Sequence, residues 1–180
     1  MEIQPTFING LLIIKPTVFQ DTRGYFFESY RHDILAKHGF SDSFTQDNES
    51  KSQKNVLRGL HFQNPPHAQA KLVRVVKGKI LDVAVDIRSA SETYGQYVSI
   101  HLSEENKTML LIPEGFAHGF VTLEDETIVN YKCSDTYHKQ SEQTLLWDDK
   151  ELAIKWEIDE PILSDKDLKG VPFNSFKSMF

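Results

Sequence analysis

The sequence of 180 residues has a single cysteine, Cys133, so no disulfide can form within the chain. A reducing compartment suits that composition. No stretch approaches the ~20 consecutive apolar residues that a membrane-spanning helix needs. The opening "MEIQPTFING" lacks the basic-then-apolar order of a secretory signal. Basic charge is also in short supply: 20 Lys and Arg stand against 26 Asp and Glu, giving a formal charge of −6 with no basic stripe. That balance argues against a nucleic-acid surface, although a local group of Arg and Lys could still hold a phosphate-bearing ligand. Low-complexity tracts, charge blocks and repeats are missing too. What remains is 39% hydrophobic and 26% charged, the composition of a globular chain. Its length suits one ordinary domain with a real core. A soluble, cytoplasmic protein is the expectation.

The central region reads as strands. In "LDVAVDIR", residues 81–88, Val83, Val85 and Ile87 share one face, and Asp82, Asp86 and Arg88 the other. "YVSIHLS" sets Val98, Ile100 and Leu102 opposite Tyr97, Ser99 and His101. "KLVRVVKGKI" is β-rich and is interrupted at Lys77-Gly78-Lys79, which reads as a hairpin turn. "GFVTL" and "TIVNYKC" add two strands around a polar "EDE" turn. "YRHDILAKHGF" is the one clear helical stretch, with Gly39 available to end it. "DDKELAIKW" predicts a short helical turn followed by an extended arm. Many short strands and little helix predict an all-β sandwich or small barrel. The expected organisation is one domain over 1–180. It would comprise N-terminal strands (about 1–50), a core (about 51–135) and a C-terminal turn and arm (about 136–180).

In "LLIPEGFAHGF", the spacing of Pro113, Gly115 and His118 matches the second half of a cupin motif, a turn that swings a histidine into the mouth of a jelly roll. Many such proteins bind metal through a His-x-His pair, a Glu and the later His. Here His61 is followed at the pair position by Gln63, and His67 lies in a turn after Pro65-Pro66. His61 and His118 alone fall short of the usual three or four protein ligands. No metal is expected.

Eight blocks then occur in order from about residue 5 to residue 170: "DTRGYFFESY", "FTQDN", "NVLRGLHFQ", "AQAKLVRVVKGKILDVAVDIR", "LSEENK", "IPEGFAHGFVTL", "YKCSDTY" and "LSDKD". Together they resemble the dTDP-4-dehydrorhamnose 3,5-epimerase family. The resemblance implies a metal-free, cofactor-free, cupin-type jelly roll, usually a homodimer that exchanges its N-terminal strands. The family inverts C3 and C5 of a dTDP-linked 4-keto-6-deoxyhexose. Such chemistry needs a base, an acid across the ring, and a donor near the ketone oxygen that steadies the enolate.

By this resemblance His61 is the base, and an imidazole of ordinary pKa ~6.5 is neutral and accepting at pH 7. Asp167 is the carboxylate that fixes its tautomer, in preference to nearby Asp165. Tyr131 is the acid, and strand alternation places Val129, Tyr131 and Cys133 on one face. Lys71 sits near the enolate oxygen. Arg23 and Arg58 hold diphosphate or sugar, a task suited to a planar multi-donor group. Glu28, Gln46, Asp47 and Asn48 line the nucleotide side, His118 faces the sugar, and Tyr137 stacks on thymine. Glu142 and Lys166 make further ligand contacts. Arg58 and His61 lie an odd number of residues apart, so both reach one ligand only if Gly59 marks a bulge or bend. Two other readings remain open: a 3-only or 5-only epimerase or ketoisomerase on the same scaffold, and a non-catalytic carbohydrate-binding jelly roll.

Overall fold

A computed structural model describes residues 1–180. Thirteen strands dominate it. The first five are β1 (Glu2–Pro5), β2 (Leu12–Lys15), β3 (Phe19–Asp21), β4 (Gly24–Phe26) and β5 (Gln46–Ser52). The central ones are β6 (Leu57–Gln63), β7 (Lys71–Lys77), β8 (Lys79–Asp86) and β9 (Tyr97–Ser103). The last are β10 (Met109–Ile112), β11 (Phe116–Thr122), β12 (Thr127–Cys133) and β13 (Glu142–Thr144). One helix, α1 (His32–Lys37), precedes β5, and Gly39 follows it at φ +89°. That is the left-handed geometry expected just past a helix end. No helix is long and apolar enough to cross a membrane.

Two antiparallel sheets face each other as a jelly roll. One has the order β1-β2-β10-β7-β12-β5 and the other β13-β6-β11-β8-β9, while β3 and β4 form a separate hairpin. Between the sheets, Val73, Val75 and Val129 of the first pack against Ile80, Ala84, Leu102, Phe116 and Phe120 of the second. Burying each such side chain stabilises the fold by roughly 1.5–3 kcal/mol before entropy is counted.

Two local expectations are corrected. Lys77-Gly78-Lys79 is not a hairpin, because β7 and β8 belong to different sheets. Gly78 is a corner, with φ +79°, where a Cβ would lie 2.4 Å from Thr127 Oγ1. Residues 148–152 make turns closed by one bond from Ala153 N–H to the Asp149 carbonyl at 2.9 Å, with no regular helix, and the 3-10 turns come later, at Asp167–Lys169 and Phe173–Ser175. The two faces of β8 separate as the alternation has them, and the apolar one does not look into the jelly roll. Leu81, Val83, Val85 and Ile87 pack outward under Leu152, Trp156, Phe173 and Phe176 of the C-terminal arm. Asp82 therefore points inward, and both it and Asp86 are wholly buried. Because the arm supplies a second apolar layer, the sheet has two covered faces, and alternation alone could not say which one is the interior.

Candidate active site

The jelly roll encloses a cavity of about 480 Å³, within the range of small-ligand sites. Each sheet supplies one wall. From the five-stranded sheet come Arg58, His61, Phe62 and Gln63 of β6, His118 and Phe120 of β11, and Glu142 of β13. The six-stranded sheet contributes Gln46, Asn48 and Ser50 of β5, Lys71 of β7, and Tyr131 and Cys133 of β12. Tyr137 and Lys166 complete the rim. Tyr131 does share the inward face with Val129 and Cys133, and it stands on the sheet opposite His61.

Arg58 and His61 both reach the cavity because β6 is irregular between them. The pairing of β6 with β11 shifts register between His118 and Phe120. Gly59 takes φ +148°, and a Cβ there would lie 2.5 Å from Gly119 Cα. Glycine is required at that crossing. Arg58 is steadied by Ser52, whose Oγ accepts from Nε at 3.2 Å and from a terminal nitrogen at 3.1 Å.

His61 Nε2 lies 2.8 Å from Asp167 Oδ1, along a line bent away from the ideal hydrogen bond. Asp167 is 2% exposed, whereas Asp165 is exposed to solvent. Gly59 N–H donates to Asp167 Oδ1 at 3.1 Å; Ser164 N–H and Oγ donate to Oδ2 at 3.1 and 2.5 Å. Burial alone would raise the Asp167 carboxyl, but His61, Ser164 and Gly59 outweigh it and hold its pKa at about 2. Burial, with Lys166 and Lys71 assisting, lowers the His61 pKa against the opposing pull of Asp167. The imidazole is therefore neutral at pH 7 and able to accept a proton.

Burial likewise raises the Tyr131 phenol, with Cys133 and Glu142 adding to it and Arg58 opposing, so the proton stays on at neutral pH. Lys71 Nζ donates to the His61 carbonyl at 3.2 Å. Its pKa is lowered by burial and partly restored by Cys133, Asp82 and Glu142. At the mouth, Glu142 accepts from Tyr137 OH at 2.9 Å and pairs with Lys166.

Four side chains belong to the site that residue-by-residue reading did not single out. Asp82 Oδ1 lies 2.7 Å from His118 Nε2, its visible signal being an acid in an apolar strand. Ser164 anchors Asp167. Ser50 presents a buried, unpartnered hydroxyl in the wall. Gln63, almost wholly buried, lines the cavity at the end of β6. No three of the His, Cys, Asp and Glu side chains converge as a metal-ligand set.

Three expected ligand contacts do not line the cavity of this chain. Asp47 alternates outward between Gln46 and Asn48 and pairs with Lys132 at 2.9 Å. Arg23 is on the β3–β4 hairpin, 89% exposed along its side chain and paired with Asp21. Glu28 pairs with Arg31 at 3.0 Å on the surface.

The jelly roll thus sets an imidazole–carboxylate pair on one side of the cavity against a protonated phenol on the other, a proton acceptor facing a proton donor. A family model described as dTDP-4-dehydrorhamnose 3,5-epimerase matches residues 5–175. The chain is 50% identical over 174 residues to the dTDP-4-dehydrorhamnose 3,5-epimerase of Shigella flexneri, covering 96% of each protein. It superimposes with a TM-score of 0.93 and 46% identity on an epimerase from Legionella pneumophila in complex with dTDP-4-keto-L-rhamnose, covering 98% and 94% of the two chains. A 3'-monoepimerase from Streptomyces bikiniensis bound to dTDP-quinovose matches with a TM-score of 0.89 and 31% identity, covering 95% and 87%. The chain belongs to the dTDP-4-dehydrorhamnose 3,5-epimerase family.

Proposed function

We propose that this protein inverts C3 and C5 of dTDP-4-dehydro-6-deoxy-D-glucose to give dTDP-4-dehydro-L-rhamnose, in the cytoplasm, on the route to dTDP-L-rhamnose. The carrying observation is that His61, backed by Asp167 of the C-terminal arm, and Tyr131 stand on facing sheets across one cavity. Each centre takes one cycle. His61 removes the proton α to the ketone, and the C–H electron pair enters the enolate. The Lys71 ammonium faces the oxygen where negative charge grows. Tyr131 then delivers its proton to the opposite face. Before the second carbon reacts, imidazolium and phenolate exchange protons with water and regain their starting states. Arg58 and Lys166 suit the diphosphate, Gln46, Asn48, Glu142 and Tyr137 the nucleoside, and His118 the sugar.

Arg23 and Glu28 fit the same reading in a homodimer. Phe19, Tyr25 and Phe26 stand exposed on the β3–β4 hairpin beside Arg23, an apolar tip suited to burial against a second copy. The hairpin would then carry Arg23 and Glu28 to the partner's cavity. A monomer in sedimentation at micromolar concentration would refute this arrangement.

The deciding experiment supplies dTDP-4-keto-6-deoxyglucose and a downstream ketoreductase, and identifies the sugar formed by NMR. The L-rhamno product supports the proposal. A product inverted at one carbon alone assigns a monoepimerase, and unchanged substrate assigns a binding module.

A further inference from the structure

Gln63 ends β6 at the cavity rim, and its amide is almost fully engaged. Nε2 donates to the His67 carbonyl at 2.7 Å and to the Thr136 carbonyl at 3.2 Å, while Oε1 accepts from His138 N–H at 2.6 Å. Thr136 and His138 are the neighbours of Tyr137 in sequence. One buried amide thus grips the peptide groups on both sides of that tyrosine. The N–H of Tyr137 itself donates to Gln46 Oε1 at 2.9 Å. Behind the loop, the rings of His67 and His138 stack with centroids 3.9 Å apart and planes 16° from parallel. The Tyr137 backbone is pinned from three directions, yet the residue is 54% exposed at the mouth.

We infer that Gln63 is a positioning residue for Tyr137, holding the ring as a preformed platform for the nucleobase of the substrate. The inference rests on the proposed function, which makes Tyr137 the stacking partner. Only a primary amide meets the demand at this position. It offers two N–H donors for two carbonyls and one oxygen for an N–H. A carboxylate would set an oxygen with no hydrogen to donate where Nε2 now meets two carbonyls, and a neutral imidazole has one donor. In metal-binding jelly rolls the equivalent step of the strand carries a ligand histidine. Here it is used to order a binding loop, which lowers the entropy lost when ligand binds.

The test measures dTDP affinity by calorimetry, together with KM and kcat for epimerisation, in the unaltered protein, Gln63→Glu, Tyr137→Ala and the double variant. Gln63→Glu is expected to weaken dTDP binding by about tenfold and raise KM in step, with kcat changed by less than about twofold. The double variant should bind no more weakly than Tyr137→Ala, because both substitutions remove the same platform. A fall in kcat at unchanged KM, or effects that simply add, would overturn the inference. Weak binding by Tyr137→Ala with normal binding by Gln63→Glu would overturn it as well, while leaving the functional reading intact. Normal dTDP affinity in Tyr137→Ala would instead sink the stacking reading, and this inference with it. Gln63→Met, which keeps the length and removes the amide, serves if Gln63→Glu does not fold. Failure of both to fold would assign Gln63 to folding and overturn the positioning role.

Discussion

Two histidine–aspartate pairs lie side by side on neighbouring strands, and they are built differently. His61 and His118 are direct cross-strand partners on β6 and β11. Each Nε2 approaches a carboxylate, at 2.8 Å to Asp167 and 2.7 Å to Asp82. Asp167 comes from the C-terminal arm and receives three further hydrogen bonds, whereas Asp82 comes from the next strand and leaves Oδ2 without a partner. The His61 side chain is 28% exposed and that of His118 is 7%. A base must meet both substrate and, between cycles, water. The open ring with the buried, multiply hydrogen-bonded carboxylate suits that work, and the closed ring suits a fixed place in the wall.

The largest effect that separates the pairs is expected from His61→Ala. Incubated with substrate in D₂O, this variant should lose hydrogen exchange at C3 and C5 together, by a factor of about 10²–10⁴. The upper end is expected where no water can replace the imidazole. Normal exchange at both carbons by a folded His61→Ala would return His61 to the status of a wall residue and break the comparison.

Asp167→Asn comes next, with exchange slowed on the order of 10²-fold because the amide no longer fixes the imidazole tautomer. The same substitution has a stability signature. A carboxylate whose folded pKa is depressed from 3.8 to about 2 contributes stability that is present above pH ~4 and is lost as pH falls toward 2. That contribution is about 2 kcal/mol. His61 acts in the same direction at higher pH. Its folded pKa is lowered by burial, so the unfolded chain binds the proton first and stability declines as pH drops below about 6.5. Urea unfolding from pH 7 to pH 2.5 should show a flatter acid limb in Asp167→Asn than in the unaltered chain. Parallel acid limbs would mean that Asp167 is not held at low pKa by its partners.

Asp82→Asn sharpens the comparison from the other side. If His118 is a wall residue and not a second base, exchange at saturating substrate should fall by less than about tenfold. A loss equal to that of Asp167→Asn, in a folded protein, would make the two pairs functionally equivalent.

These pairs also show how much of a site a sequence carries. The jelly roll followed from short alternating strands and the Pro113–His118 turn, since local pattern and turn chemistry are properties of neighbouring residues. The His61–Asp167 pairing was reached through the family resemblance alone. No periodicity links residues 106 positions apart, and an aspartate in a polar tail looks like a turn former. Asp82 was visible only as an acid on what seemed the polar face of a strand. That face turned out to be the interior because the C-terminal arm covers the other, a tertiary fact with no local signal. Lys77-Gly78-Lys79 failed for a similar reason: a left-handed glycine serves a hairpin and an inter-sheet corner equally well. Arg23 and Glu28 stand on the surface, paired with Asp21 and Arg31, away from the cavity of their own chain, and no local pattern in the sequence marks that placement.

The smallest expected effect is none at all, and it tests both pairs at once. A jelly roll of this kind could use the mouth histidines to hold a divalent ion. In this chain the Nε2 atoms of His61 and His118 face Asp167 and Asp82, leaving one ring nitrogen, Nδ1, on each, and the Gln63 amide is occupied by three backbone groups. Cys133 is a thiol raised by burial, not a ready thiolate, and Glu142 is tied to Lys166 and Tyr137. Assembling three or four ligands would require breaking several of these contacts. Dialysis against excess chelator should therefore leave kcat and KM for epimerisation unchanged. Activity that disappears with the chelator and returns on adding back a divalent metal would show that the pairs rearrange around an ion. In that case His61 would be a ligand, and the base would have to be sought elsewhere in the cavity.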